Sequence, residues 1–366
     1  MSKFQITYLV DSNSADDLFH SIKVEQTTEF PFELSPEWIQ NEIVGQLISK
    51  NEKQNKTEII IQYDLAITGK ELPQLLNIIW GNISMYPNVK IINLSFSNEL
   101  LQFLKGPRFG ISGLRKKLNV SSRPILATAL KPMGLSSTEF AQMAKTLVEA
   151  GFDLIKDDQS LANQTWAQWL ERVKIISQTV NEANSKFGKN TIYAPSLNRP
   201  ADEIADCAFE AKSFGAGAFL VMPGVFGFDT MRMLADNDEL ALPIMSHPSM
   251  LGSFFMDQNQ GLTHELVLGT LNRISGADIC IFPNFGGRFS FTPEECLSIS
   301  NSCRNDMSHI NKIWPSPGGG MTIERIPEII NFYGNDTILL IGGALHRNNL
   351  FNNAKELFEL VNKLES

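Results

Sequence analysis

Lys156 and Asp158 stand two apart in Leu154-Ile155-Lys156-Asp157-Asp158-Gln159, a short apolar run that ends in charge. In a strand, residues two apart share a face, so this ammonium and carboxylate point the same way. The pair reads either as a buried ion pair or as half of a metal site for a phosphorylated or hydroxy-keto ligand. Lys131 ends another apolar run, Pro124–Leu130, and His247 ends a third in Ser246-His247-Pro248. A histidine in that position suits proton transfer or a polar contact to substrate. The runs Gly318-Gly319-Gly320 and Gly342-Gly343 let backbone amides approach an anion and cradle a phosphate. Arg288, after Gly286-Gly287, has the planar fork that clamps phosphate or carboxylate.

These residues need a scaffold that gathers run ends at one rim. From Pro124 onward, eight short apolar runs alternate with amphipathic stretches: Pro124–Leu130, Asp153–Asp158, Ile192–Leu197, Ala218–Pro223, Leu242–His247, Ile279–Pro283, Lys312–Pro317 and Ile338–Gly343. Continuous apolar runs between helices mean parallel strands buried on both faces, and eight predict a (β/α)8 TIM barrel rather than an open doubly wound sheet. Ser136-Ser137-Thr138-Glu139 and Thr292-Pro293-Glu294-Glu295 start helices with capping boxes, and Gly151 ends the first. The first part reads as a ferredoxin-like α+β unit. Phe4–Val10 and Glu58–Tyr63 are strand-like, and Ser35-Pro36-Glu37-Trp38 opens a helix with Ser35 as cap. Lys50–Lys56 is a solvated turn, and Pro73–Ile79 a second helix closed by Gly81-Asn82. Domains are expected at 1–112 and 113–366.

The chain of 366 residues is 43% hydrophobic and 19% charged, ordinary for a globular protein with a sizeable core. A net charge of −9 argues against nucleic acid as a partner. Cys207, Cys280, Cys296 and Cys303 form no metal-ligand spacing and read as reduced core residues. There is no leader-like start and no apolar run near the ~18 residues of a membrane span, so a cytoplasmic protein is expected.

Leu130-Lys131-Pro132-Met133-Gly134-Leu135-Ser136 and Gly151–Asp158 resemble the first two barrel motifs of the RuBisCO large-chain superfamily, and Gly106-Pro107-Arg108-Phe109-Gly110 is similar to its domain junction. The resemblance covers nearly the whole chain. It implies that Lys156 takes up CO2 as a carbamate and binds Mg²⁺ with Asp158, while Lys131 acts as acid/base or electrostatic stabiliser of a metal-bound enediolate. It also implies that Gly319, Gly320, Gly342 and Gly343 bind phosphate, and that Glu25 and Asn82 reach into a partner subunit's site in a homodimer.

Departures from the family pattern point to a RuBisCO-like (form IV) protein. Gln159 stands where RuBisCO has a glutamate ligand, so it either joins a weaker metal site or leaves a different ligand set. Met133 replaces a lysine, Arg288 the lysine of the sixth loop, Gly318 a serine, and Phe30-Pro31 a Thr-Trp pair. Carboxylation of ribulose bisphosphate is therefore not expected. Phe282–Phe289 and Pro317–Thr322 resemble the branch that removes the carboxylate of 3-oxo-isoapionate 4-phosphate, by decarboxylation or by transcarboxylation and hydrolysis. The alternatives are the 2,3-diketo-5-methylthiopentyl-1-phosphate enolase, a methylthioribulose-phosphate isomerase, and a non-catalytic metabolite-binding homologue.

Overall fold

The structure, a computed structural model, describes residues 2–363. Its first sheet is built from β1 (Lys3–Asp11), β2 (Gln46–Lys53), β3 (Lys56–Asp64) and β4 (Val89–Ser95), in the antiparallel order β4-β1-β3-β2. With helices Ala15–Glu25 and Leu72–Trp80 between strands, this is the ferredoxin-like βαββαβ arrangement. Phe4, Ile6, Tyr8 and Val10 alternate inward from β1 and join Ile22, Leu75, Ile78 and Ile79 in one apolar core.

Two local expectations are corrected here. Lys50–Lys56 is not one solvated turn: β2 runs to Lys53, β3 starts at Lys56, and only Gln54 and Asn55 turn. β2 is an edge strand whose side chains are mostly exposed, so a polar sequence forms it once β3 supplies the hydrogen bonds. Ser35 does not cap the helix Glu37–Glu42. Pro36 holds the cap position, and the Ser35 hydroxyl turns back toward the Pro31 carbonyl instead.

The second sheet comprises β5 (Ile125–Leu130), β6 (Leu154–Asp157), β7 (Ile192–Ala194), β8 (Phe219–Val221), β9 (Ile244–Ser246), β11 (Ile279–Pro283), β12 (Trp314–Gly318) and β13 (Ile338–Leu340). All eight are parallel in the order β7-β6-β5-β13-β12-β11-β9-β8, and a parallel bridge between Ser196 and Leu220 closes the ring. The remaining strand, β10 (Gly261–Leu262), leaves the barrel and adds in parallel to β4 of the first sheet.

The two-residue alternation of strands divides the barrel into two cores. Ile125, Ala127, Leu154, Ile192, Ala194, Leu220, Met245, Ile279, Ile281, Trp314, Ile338 and Leu340 fill the interior. Leu126, Leu130, Ile155, Tyr193, Val221, Phe282 and Leu339 face the surrounding helices. Each inward series, continued upward, ends at the C-terminal rim: Ala129 on β5, Lys156 on β6, His247 after β9, Pro283 on β11, Gly318 on β12 and Gly342 after β13. Buried Asp278 ties the domain junction to this ring, accepting the Phe109, Gly110 and Ile244 amides at 2.7, 2.8 and 3.0 Å. Ser136 and Thr292 form the expected capping boxes, and Gly151 ends its helix at φ +100°. Among the described residues no helix is long and apolar enough to cross a membrane.

Candidate active site

The inward phase of β6 places Lys156 directly above Leu154 in the barrel, 2% exposed. Its Nζ donates to the Asp157 carbonyl at 3.0 Å. Burial pushes this ammonium down to about 8, with Lys131 adding to the fall and Asp158 and Asp157 opposing it. At pH 7 roughly a tenth of such a group is free amine, the form that can attack CO2. Asp158 pairs with Lys131 through Oδ2 at 2.5 Å, and its other oxygen, Oδ1, is buried without a hydrogen-bond partner.

Asp157 takes the opposite phase and points into the outer shell. There it meets Arg172 at 3.3 Å, the Tyr193 hydroxyl at 2.7 Å and the Ser196 amide at 3.1 Å, with Asp157 and Arg172 side chains both 0% exposed. Arg172 also donates to the carbonyls of Ala162 and Ala167. This satisfied network clamps the strand end that carries Lys156. No local pattern signals this network, because Arg172 lies on the next helix, fifteen residues further along the chain.

A cavity of about 790 Å³ opens at the rim. Lys131, Lys156, Gln159, His247, Arg288, Gly318, Gly319, Gly320, Gly342 and Gly343 all line it. The glycines present open backbone: a Cβ on Gly342 or Gly343 meets no atom within 4 Å, and one on Gly319 only the edge of Phe289. Gly287 and Gly320 pack backbone to backbone, since a Cβ on Gly320 would sit 2.4 Å from Gly287 Cα, so loops six and seven both need glycine there. His247 is held neutral, its pKa pushed down to about 3 by burial and then by Lys156 and Lys131. Its Nδ1 accepts the Ser249 amide at 3.2 Å, which leaves the proton on Nε2. His346 is shifted down by burial and by Lys131.

Glu25 and Asn82 are brought to each other, Asn82 Nδ2 donating to Glu25 Oε2 at 3.3 Å, but neither lines this chain's cavity. Lining residues that carried no signal in the sequence include Arg347, beyond the eighth-strand glycines, and the apolar Phe255 and Met256. Arg347 is one arginine in a polar stretch, and apolar loop residues look like ordinary packing.

Among the described residues no three His, Cys, Asp or Glu side chains converge on a metal position. The chain offers one orphaned carboxylate oxygen on Asp158 and the Gln159 amide, with a lysine beside them whose lowered pKa favours carbamate formation. A hard, oxygen-seeking cation fits that donor set once Lys156 supplies the second anionic oxygen.

A parallel eight-stranded barrel with its polar residues at the C-terminal rim, preceded by a ferredoxin-like sheet, defines the class. The pattern of the ribulose bisphosphate carboxylase large chain, catalytic domain, matches residues 110–287. The RuBisCO-like protein 1 of Rhodopseudomonas palustris is 33% identical over 345 residues, 93% of this chain and 92% of that one. A 2,3-diketo-5-methylthiopentyl-1-phosphate enolase of Bacillus pumilus is 32% identical over 292 residues, 80% of this chain and 72% of that one. A crystal structure of a RuBisCO-like protein from Rhodopseudomonas palustris superposes with a TM-score of 0.90 at 31% identity, covering 100% of this chain and 99% of the other. The chain belongs to the RuBisCO large-chain family, among its RuBisCO-like proteins.

Proposed function

We propose that the barrel mouth converts a phosphorylated keto-sugar acid, 3-oxo-isoapionate 4-phosphate, to an enediolate by loss of its carboxylate. One observation carries this reading. Lys131, Arg288 and Arg347 line the cavity and, among the described residues, no Asp or Glu does, in a chain of net charge −9. Such a site selects a ligand with two anionic groups. The open amides of Gly319, Gly320, Gly342 and Gly343 suit the phosphate, and Arg288 suits the carboxylate.

Asp158, Gln159 and carbamylated Lys156 are the residues that would hold Mg²⁺, which when bound would supply Lewis-acid stabilisation of negative charge developing on the substrate. Lys131, beside Asp158, stabilises negative charge and delivers a proton to the enediolate carbon. Neutral His247 donates from Nε2 to a substrate oxygen. The bond to the carboxylate breaks, CO2 leaves, and the electron pair passes into the enediolate. On this reading the protein is a cytoplasmic homodimer in which Glu25 and Asn82 complete the partner's site.

The methylthio-diketone enolase is the second reading, and the apolar wall of Phe255, Met256 and Phe289 favours it, because a methylthio tail packs there without a charge partner. Turnover of both compounds with Mg²⁺ and bicarbonate, followed by NMR, separates the two. Loss of the carboxylate carbon by wild type, abolished in Lys156→Ala, is the expected result. Tautomerisation of the methylthio diketone alone would replace the first reading by the second.

A further inference from the structure

The wall formed by Phe255 and Met256 belongs to the segment that follows β9, and that segment is not held by the barrel alone. It runs out to β10, where Gly261 pairs with Lys90 and Leu262 with Ile91 on β4 of the first sheet. The Thr263 amide continues the ladder to the Ile91 carbonyl at 3.1 Å. Lys90, itself buried, donates its ammonium to the Asp257 carbonyl, one residue beyond Met256. Gln260 Nε2 reaches the Ser84 carbonyl at 3.0 Å. The tip is closed by Asp257 Oδ1, which accepts the Asn259 and Gln260 amides at 2.7 and 3.1 Å. At Gly261, φ is +96° and a Cβ would sit 2.1 Å from the Phe254 carbonyl oxygen, so the chain can double back there only at glycine. Behind the wall, the Phe255 ring lies 4.8 Å from His264 and 6.0 Å from Phe291.

We infer that the first sheet sets the far wall of the substrate cavity in its own subunit, with Lys90 as the positioning residue that fixes Phe255 and Met256. A buried ammonium is retained only where it finds acceptors, and Lys90 finds the Asp257 carbonyl with the carboxylates of Asp257, Glu265 and Glu295 nearby. Its bond therefore sits in a low-dielectric site, where release costs more than at a surface. In the ring order, β9 lies across from β5, so this wall faces Lys131 over the cavity and bounds the end of the substrate remote from that lysine. This inference rests on the cavity being the substrate site.

The test uses the full-length protein with Lys90→Met, Lys90→Arg and Gln260→Ala, the last a milder variant that leaves the buried ammonium in place. Hydrogen exchange should rise over residues 254–262 in Lys90→Met while β11 and β12 stay protected. KM for 3-oxo-isoapionate 4-phosphate should rise on the order of tenfold with kcat little changed. The Kd for inorganic phosphate should stay at the wild-type value, and Lys90→Arg should restore KM. Gln260→Ala should show the same exchange pattern at smaller amplitude. Unchanged exchange in Lys90→Met, or kcat and phosphate affinity collapsing with KM, would overturn the inference. If wild type turns over neither this compound nor the methylthio diketone, the proposed function falls. Raised exchange confined to 254–262 with unchanged phosphate affinity would still uphold the positioning role, and any wider loss of protection would end it.

Discussion

The barrel mouth and the first sheet are built from opposite materials. In the first sheet, Tyr8 and Tyr63 are fully buried, their hydroxyls are paired at 2.9 Å, and aliphatic side chains surround them. Burial raises both phenol pKa values far out of the working range, so neither hydroxyl ionises there. At the mouth, cations line the cavity, Asp158 pairs with one of them yet keeps an orphaned oxygen, and glycine backbone stands open. The two regions use free energy differently: the buried tyrosine pair satisfies itself inside the sheet, whereas the mouth keeps an unpaired carboxylate oxygen and open backbone.

Substitutions can break or sharpen that contrast. Arg172→Met should have the largest effect on stability. It leaves the Asp157 carboxylate buried with only neutral donors, at a cost of about 3–5 kcal/mol in chemical denaturation. A loss under 1 kcal/mol would show that the strand end bearing Lys156 is not clamped from behind. Arg288→Gln should do the reverse. Removing a charged partner of the substrate is worth about 1.5–3 kcal/mol, so KM should rise roughly 10- to 100-fold while the unfolding free energy stays within about 0.5 kcal/mol. Equal losses in stability and KM would place Arg288 in the scaffold instead of the site.

His247 tests the electrostatics of the mouth. Its folded pKa of about 3 lies below the usual value near 6.5. Between these values the unfolded chain binds a proton that the folded chain refuses, so the metal-free protein loses stability as pH falls through this window. In His247→Asn that dependence should flatten by up to one proton, about 1.4 kcal/mol per pH unit. Parallel wild-type and variant curves from pH 6 to 4 would mean that His247 is not held neutral by its neighbours. Tyr8→Phe, in the sheet, should cost only about 1 kcal/mol, and turnover should not change. A kinetic effect there would erase the contrast between the regions.

Much of the architecture was legible because short-range physics wrote it. Eight apolar runs separated by capped helices announce parallel strands, and the capping boxes at Ser136 and Thr292 formed as read. Lys131, Lys156, His247 and Arg288 stand out in the sequence because charge at the end of a buried strand costs free energy unless it has a partner or a task, and all four line the same cavity. β2 was missed because an edge strand satisfies one side of its backbone through a neighbour and needs no apolar alternation. Arg347, Phe255 and Met256 were missed because their roles depend on which loops meet, and no local pattern encodes that.

The sequence by itself determined the barrel's strand count, the phase that turns Lys156 inward and Asp157 outward, and the glycines that leave loops seven and eight open. These follow from a period of two and from the absence of a Cβ, both properties of a few consecutive residues. Only the tertiary structure decided that Asp157 meets Arg172 and Tyr193, that Ser196 and Leu220 close the ring, and that a segment leaving the barrel adds to the first sheet beside Lys90. Those contacts join residues far apart in the chain, and their strength comes from burial that exists only once the whole ring has formed.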